Sequence, residues 1–459
     1  MSASGNFRDK LSEALKGHQA DCLEIHWETA ESTVLRFRGK EMEEVSRLSS
    51  SGGNVRAQVK GGWGFMSFNE PDDLRRKVDL AVEQATWVGK EKSYLASKEP
   101  IIDIVPDVSG ADLATEVPLS KKKELLDGYN DIIMSTPGMK TSIVGYGDGR
   151  RHKVFADLQG SYIEQNRRDV PLRLAAVASK NGEVQQSGTS LGTNGPFSPI
   201  TGLENRAKEL AGFAVALLAA PQAKAGEYTV VLDPILAGVF AHEAFGHLSE
   251  SDFVYENDRM REIMVLGRKF GGRHLNIVDG AAIPGLRGSY KYDDEGVRAT
   301  KTYLIKEGVL TGRLHSRETA AKMGEPVTGN ARAVDYRFPP IVRMTNTIIE
   351  PGKMSFDEII GDIKEGIYAK NWYGGTTSME MFTFSPGEAY MIRNGKVAEM
   401  VRPAVLSGNV FSTLEHIDAV GNDLDVNQGG GCGKAEQYPL PVSNGSPHIR
   451  IQHCLVGGR

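Results

Sequence analysis

The segment Ala241-His242-Glu243-Ala244-Phe245-Gly246-His247 sets two imidazoles and a carboxylate within six residues. It follows a strand-like run, residues 228–232, and an apolar stretch, residues 235–240, that reads as the start of a buried helix. The spacing restricts the backbone. Histidines four apart lie about 40° from alignment on a regular helix and can face one ion; five apart, they rotate by about 500°, which leaves His247 about 140° from His242. A regular helix cannot chelate this way, so either a π-bulge absorbs the extra residue or the helix unwinds at Gly246, where distortion is cheapest. These donor types can hold a divalent metal and activate a water, which makes a metallohydrolase the first hypothesis. Two histidines hydrogen-bonded inside a core helix are the alternative that spacing alone leaves open.

A chain of 459 residues exceeds one ordinary core and predicts two domains or three. A net charge of -5 gives no electrostatic case for nucleic acid or an anionic membrane as a partner. The three cysteines, Cys22, Cys432 and Cys454, imply no disulfide framework and fit a reducing cytoplasm. The first ten residues are charged where a signal peptide needs an apolar core, and the longest apolar run, residues 211–221, is too short to span a bilayer. Neither export nor a membrane segment is expected.

Helical spacing over residues 7–15 gives way to a β-like stretch, residues 22–37, and a hairpin over residues 55–68 around Gly61-Gly62. Residues 72–87 are helical again, with Leu74, Val78, Ala81 and Ala85 on one stripe. Four or five antiparallel strands between two helices are expected here. Residues 91–118 read as a connection, followed by a helix over residues 120–134 capped by Ser120. Strands are then expected at residues 141–146, 153–158, 162–165 and 172–179, with a hairpin signal at Asn181-Gly182, and a helix over residues 203–218.

The helix, strands, helix order thus recurs, suggesting an N-terminal α+β domain, residues 1–223, built from two similar halves. Residues 224–459 form the second domain. In it Pro234 opens the helix of the histidine motif, residues 251–266 are polar enough to be a mobile element over the site, and four isoleucines between residues 355 and 368 predict an amphipathic helix. The remainder reads as strand and turn. The fold class is therefore α+β, with a mostly antiparallel β C-terminal domain carrying the active helix.

Near the end stands Gln428-Gly429-Gly430-Gly431-Cys432-Gly433-Lys434. Flanking glycines let a backbone turn bring the Cys432 thiolate close to another group, and Lys434 could favour the thiolate. Two histidines, one cysteine and an open position are a known catalytic zinc set. By spacing alone, Cys432 is equally well a plain turn cysteine.

The chain resembles the catalytic TldD-type subunit of the TldD/PmbA metallopeptidase family. The resemblance rests on the His242-to-His247 motif followed by Glu250 and Asp252, and on further blocks in the family's order. These are Tyr292-Asp293-Asp294-Glu295-Gly296, Thr328-Gly329-Asn330, Arg343-Met344-Thr345-Asn346-Thr347, Gly421-Asn422-Asp423-Leu424 and Gly431-Cys432-Gly433-Lys434. Asn330-Ala331-Arg332-Ala333 departs from it, with alanines where a glycine and a second arginine are expected. The resemblance implies a zinc peptidase in which His242, His247 and Cys432 bind one Zn2+ and Glu243 is the general base. It also implies a two-fold dimer, either with a second copy or with a PmbA/TldE-type paralogue lacking the metal ligands.

Extended or unfolded peptides are the expected substrates, held by strand addition. A non-catalytic scaffold of the gyrase-modulator type and a metal-dependent small-amide hydrolase are the competing readings. Glu250 and Asp252 read either as acceptors orienting His247 or as a solvated acidic turn; Asp293, Asp294 and Glu295 read as a turn between strands. The 343–347 block reads as core edge or substrate groove. His453 and Cys454 read as structural.

Overall fold

The structure, a computed structural model, describes residues 3–457 apart from Ser109 and Ala111. The order helix, three strands, helix occurs twice. Helix α1 (Ala3–Leu15), β1 (Cys22–Arg38), β2 (Glu41–Val59), β3 (Gly62–Phe68) and α2 (Leu74–Val88) come first. After the short β4 (Ile102–Ile104) come α3 (Leu119–Ser135), β5 (Met139–Asp157), β6 (Tyr162–Lys180), β7 (Glu183–Thr193) and α4 (Glu204–Leu217). All seven strands share one sheet, in the order β3-β2-β1-β5-β6, with β4 and β7 both pairing with β6. The two halves meet where β1 runs antiparallel to β5.

Alternate residues of these long strands serve different neighbours, as the strand period of two requires. On β1, Leu23 and Ile25 join the core under α1 and α2, while Leu35 and Phe37 join the core under α3 and α4. The intervening positions carry charge. Glu24 and Arg56 pair with each other and, through Arg56, with Glu295; Lys153 and Arg167 pair with Asp294; and Arg151 donates to Val334 O. The face opposite the helices is therefore an ionic seam against the C-terminal half.

That seam corrects several expectations. Three long strands, not four or five, follow α1, and the four short strands expected between residues 141 and 179 are two, β5 and β6. Their polar middles are contact surface rather than turns. Asp293, Asp294 and Glu295 keep the expected turn, which joins the bridged residues Tyr292 and Arg298, but it is buried in the seam, where Asp293 also accepts backbone N–H bonds from Glu295, Val297 and Ala331. Helix α3 begins after Pro118, with no capping side chain, instead of at Ser120.

In the C-terminal half, five strands pair in a closed cycle: β8 (Gly226–Leu232), Ile449–Gly457, Val405–Asn409, Met381–Arg393 and Glu365–Ser378, which returns to β8. Most pairs are antiparallel; Glu365–Ser378 runs parallel to β8. A second sheet includes Ile277–Asp279, Asn346–Ile349 and Ser443–Ser446. Helix α5 (Pro234–Phe240) leaves β8 with Pro234 in its first turn and Asp233 as N-cap, and it lies so close to the second sheet that a Cβ on Gly238 would come within 3.0 Å of Asn444 C.

Two further expectations change. The isoleucine-rich segment is a short helix, Phe356–Ile360, capped by Ser355 and Glu358, followed by the strand Glu365–Ser378; Ile359, Ile360 and Ile363 enter one core and Ile367 another. Residues 251–266, polar enough to be expected outside the core, contribute Val254, Met260 and Met264 to it, all fully buried. Among the described residues, no helix is long and apolar enough to cross a membrane.

Candidate metal centre

Beyond α5 the helix widens into a π-helical turn, Ala241–Gly246, closed by a hydrogen bond from His247 N to His242 O. That five-residue bond brings the two histidines to one side of the helix, their rings edge to face with centroids 5.3 Å apart, and resolves the spacing conflict by a π-turn. The helix does not unwind at Gly246, whose φ of -58° and ψ of -49° are ordinary helical values; the glycine supplies room, since a Cβ there would fall 2.0 Å from Met344 Sδ.

Cys432 reaches the same point from 185 residues downstream of His247. It lies on a hairpin strand, Gly431–Lys434, paired with Gln437–Pro441, so the expected glycine turn is instead a strand with accessible Gly431 and Gly433 on either side. Cys432 Sγ is 3.2 Å from His242 Nε2 and 3.5 Å from His247 Nε2, and the three donor atoms lie within 4.8 Å of one another. Zinc bonds of about 2.3 Å to sulfur and about 2.0 Å to nitrogen, at a tetrahedral angle, separate sulfur and nitrogen by roughly 3.5 Å. The donor set fits a single Zn2+.

The far nitrogens are held as well. His247 Nδ1 faces Glu250 Oε2 at 3.2 Å; His242 Nδ1 faces Thr347 Oγ1 at 3.4 Å, and that hydroxyl donates to the buried Asp279 at 2.8 Å. An Nδ1–H directed outward leaves each Nε2 lone pair pointing inward, the arrangement common to metal-ligating histidines. Glu250 is thus no solvated turn. It is buried, and Lys434 reaches both it, at 3.0 Å, and Asp252, at 2.7 Å, so Lys434 serves these carboxylates. Thr347 gives the 343–347 block a place in the core, with Arg343 fully buried.

Burial opposes charge throughout the cluster, and mutual attraction prevails. The Cys432 thiol is held well below its usual range by the charges and hydrogen bonds of His242 and His247, after burial pushes the other way. Both histidines are held above theirs, against burial, His242 chiefly by Cys432 and His247 by Glu250 and Cys432. A thiolate among imidazoles is the state that a divalent cation stabilises when it replaces their protons.

Glu243 lies on the open side. Its Oε2 is 3.9 Å from His247 Nε2, and the side chains of Glu243 and His247 stay 31% and 26% accessible while His242 and Cys432 are buried. Cys22 and Cys454 are buried elsewhere, and His453 pairs with Glu227 at the surface. Sequence reasoning left Asp279 out and read Thr347 only as part of the 343–347 block, not as a partner of His242. A carboxylate closing the apolar run Ile277-Val278 was the available signal, since a charge at such a position needs partners.

The sequence matches the model described as PmbA/TldA metallopeptidase C-terminal domain over residues 225–458 and that of PmbA/TldA metallopeptidase domain 1 over residues 23–85. It is 45% identical over 442 residues to a metalloprotease of Synechocystis sp., covering 96% of this chain and 95% of that one. It is 31% identical over 422 residues to a zinc metalloprotease TldD homolog of Saccharolobus solfataricus, with 90% and 91% covered. The fold resembles that of TldE from Thermococcus kodakarensis, with a TM-score of 0.76 over the whole of both chains at 17% identity.

Proposed function

The chain belongs to the TldD/PmbA metallopeptidase family, and we propose that it is a zinc-dependent peptidase hydrolysing peptide bonds of extended or unfolded chains, with Glu243 as general base. The observation that carries this reading is the convergence of His242, His247 and Cys432 around one point, beside a carboxylate on the accessible side. Bound zinc would supply a Lewis acid that lowers the pKa of a water toward about 7 and polarises the scissile carbonyl. Glu243 takes the proton of the attacking water and delivers it to the leaving amine. Glu250, and Asp279 through Thr347, fix the imidazole tautomers.

An extended substrate suits the hairpin that carries Cys432. Gly431–Lys434 pairs with one strand only among the described residues, so its second edge can take a peptide by backbone hydrogen bonds, with little demand on side chains. The complete ligand set supports an active subunit, working in the cytoplasm as a dimer with itself or with a PmbA/TldE-type paralogue.

Glu243→Gln tests the reading. Zinc-loaded wild type should cleave a denatured protein and spare its folded form, and the variant should keep its metal while losing at least about a hundredfold in rate. Equal cleavage of folded and denatured forms would refute the extended-substrate reading. Full activity in the variant would refute the role of Glu243, and activity confined to single-residue amides would favour a small-amide hydrolase. A scaffold would show no cleavage and would function unchanged as the variant.

A further inference from the structure

The loop that delivers Cys432 is seated on the N-terminal sheet. Arg287, whose side chain is 5% exposed, donates from Nη1 to Gln428 O at 2.9 Å and to Gly430 O at 2.6 Å. Its Nε and Nη2 hold the two oxygens of Asp169 on β6. One guanidinium therefore joins a strand of the first sheet to the backbone two residues ahead of the sulfur ligand. The main chains are in contact there too: a Cβ on Gly192 of β7 would lie 2.3 Å from Gln428 O, and one on Gly429 would lie 2.3 Å from Ser190 C.

We propose that Arg287 is a positioning residue for the metal centre, and that Asp169, by orienting it, makes the geometry of Cys432 depend on the seating of the N-terminal sheet. The proposal rests on reading His242, His247 and Cys432 as metal ligands. A planar fork can serve two carbonyls and a carboxylate together, whereas the single ammonium of lysine cannot. The other ionic links across the seam end elsewhere. Lys153 meets Asp294, and Arg56 meets Glu295, both in the 292–296 segment rather than in the strand of Cys432. They hold the halves together without touching the sulfur's own segment. At the downstream end Lys434 fixes the same hairpin to Glu250 and Asp252, so the ligand strand is gripped on both sides of Cys432 and only the upstream grip involves the N-terminal sheet.

The test uses the full chain loaded with Co(II), whose thiolate charge-transfer absorption reports the metal–sulfur bond directly. Arg287→Lys and Asp169→Asn should each weaken Co(II) binding about tenfold and reduce or shift that absorption. Lys153→Met, which breaks a seam contact away from the ligand strand, should lower the unfolding temperature and leave affinity and absorption as in wild type. Asp169 is 34% exposed, so Asp169→Asn decides the matter if Arg287→Lys does not fold. Wild-type affinity and absorption in the folded variants would overturn the proposal, as would an equal spectral change in Lys153→Met. Absence of the thiolate band from wild type would overturn the metal-site reading itself, and the proposal with it.

Discussion

Glu250 Oε2 lies 3.2 Å from His247 Nδ1, on the edge of the ring opposite to the nitrogen that faces Cys432. Burial opposes the carboxylate's charge, but Lys434 and His247 overcome it and hold Glu250 at about 2, fully ionised at neutral pH. Glu250→Gln keeps the shape and removes the charge that makes His247 a strong donor. Metal affinity should fall about 10–100-fold in a chelator competition; an unchanged affinity would show that Glu250 does not tune the ligand.

Arg56 stands between two buried carboxylates, 3.1 Å from Glu24 and 2.7 Å from Glu295, and so ties β1 and β2 to the C-terminal half. Arg56→Met removes the guanidinium shared by both acids and leaves Glu24 with His26 and Glu295 with the backbone N–H of Arg317. Breaking a buried ionic arrangement by removing one partner costs about 3–5 kcal/mol. Urea unfolding should show a loss of that order, and a loss below about 1 kcal/mol would mean that the seam is held by other contacts.

Asp233 caps the helix leading to the π-turn, accepting from Leu236 N at 2.8 Å and Asn371 N at 3.1 Å. Burial nonetheless pushes it up from 3.8 to about 6. A raised folded-state pKa contributes stability that is complete below about pH 4 and lost as the pH rises through about 6. Asp233→Asn retains a capping oxygen without the charge, so its stability relative to wild type should improve between pH 4 and 7, by up to about 2 kcal/mol. Unfolding temperatures measured across that range would contradict this if the difference between the proteins did not vary with pH.

How much was legible in the chain varied with how many neighbours a segment serves. The five-residue histidine spacing demanded an irregular helix, and the π-turn supplies it. The stripe of Leu74, Val78, Ala81 and Ala85 faces one core and was readable as a helix. Strands β5 and β6 were not readable whole, because Arg151, Lys153, Gln165 and Arg167 belong to a seam with a distant segment, and alternation of apolar with charged residues breaks off there. The Cys432 hairpin gave no turn signal. Ala435 and Glu436 adopt the positive φ values, 49° and 64°, that Asn-Gly announces at Asn181-Gly182 and Asn394-Gly395. Four isoleucines at helical spacing misled because Gly361 separates two structures, a helix and a strand, whose isoleucines enter different cores.

Metal stoichiometry of the purified wild type beside Cys432→Ser tests the central claim most directly, since everything turns on one sulfur joining two imidazoles 3.2 and 3.5 Å away. The wild type should carry close to one zinc per chain and the variant should lose most of it under the same chelator challenge. A wild type that binds no metal, or a Cys432→Ser variant that retains zinc as tightly as wild type, would contradict the account.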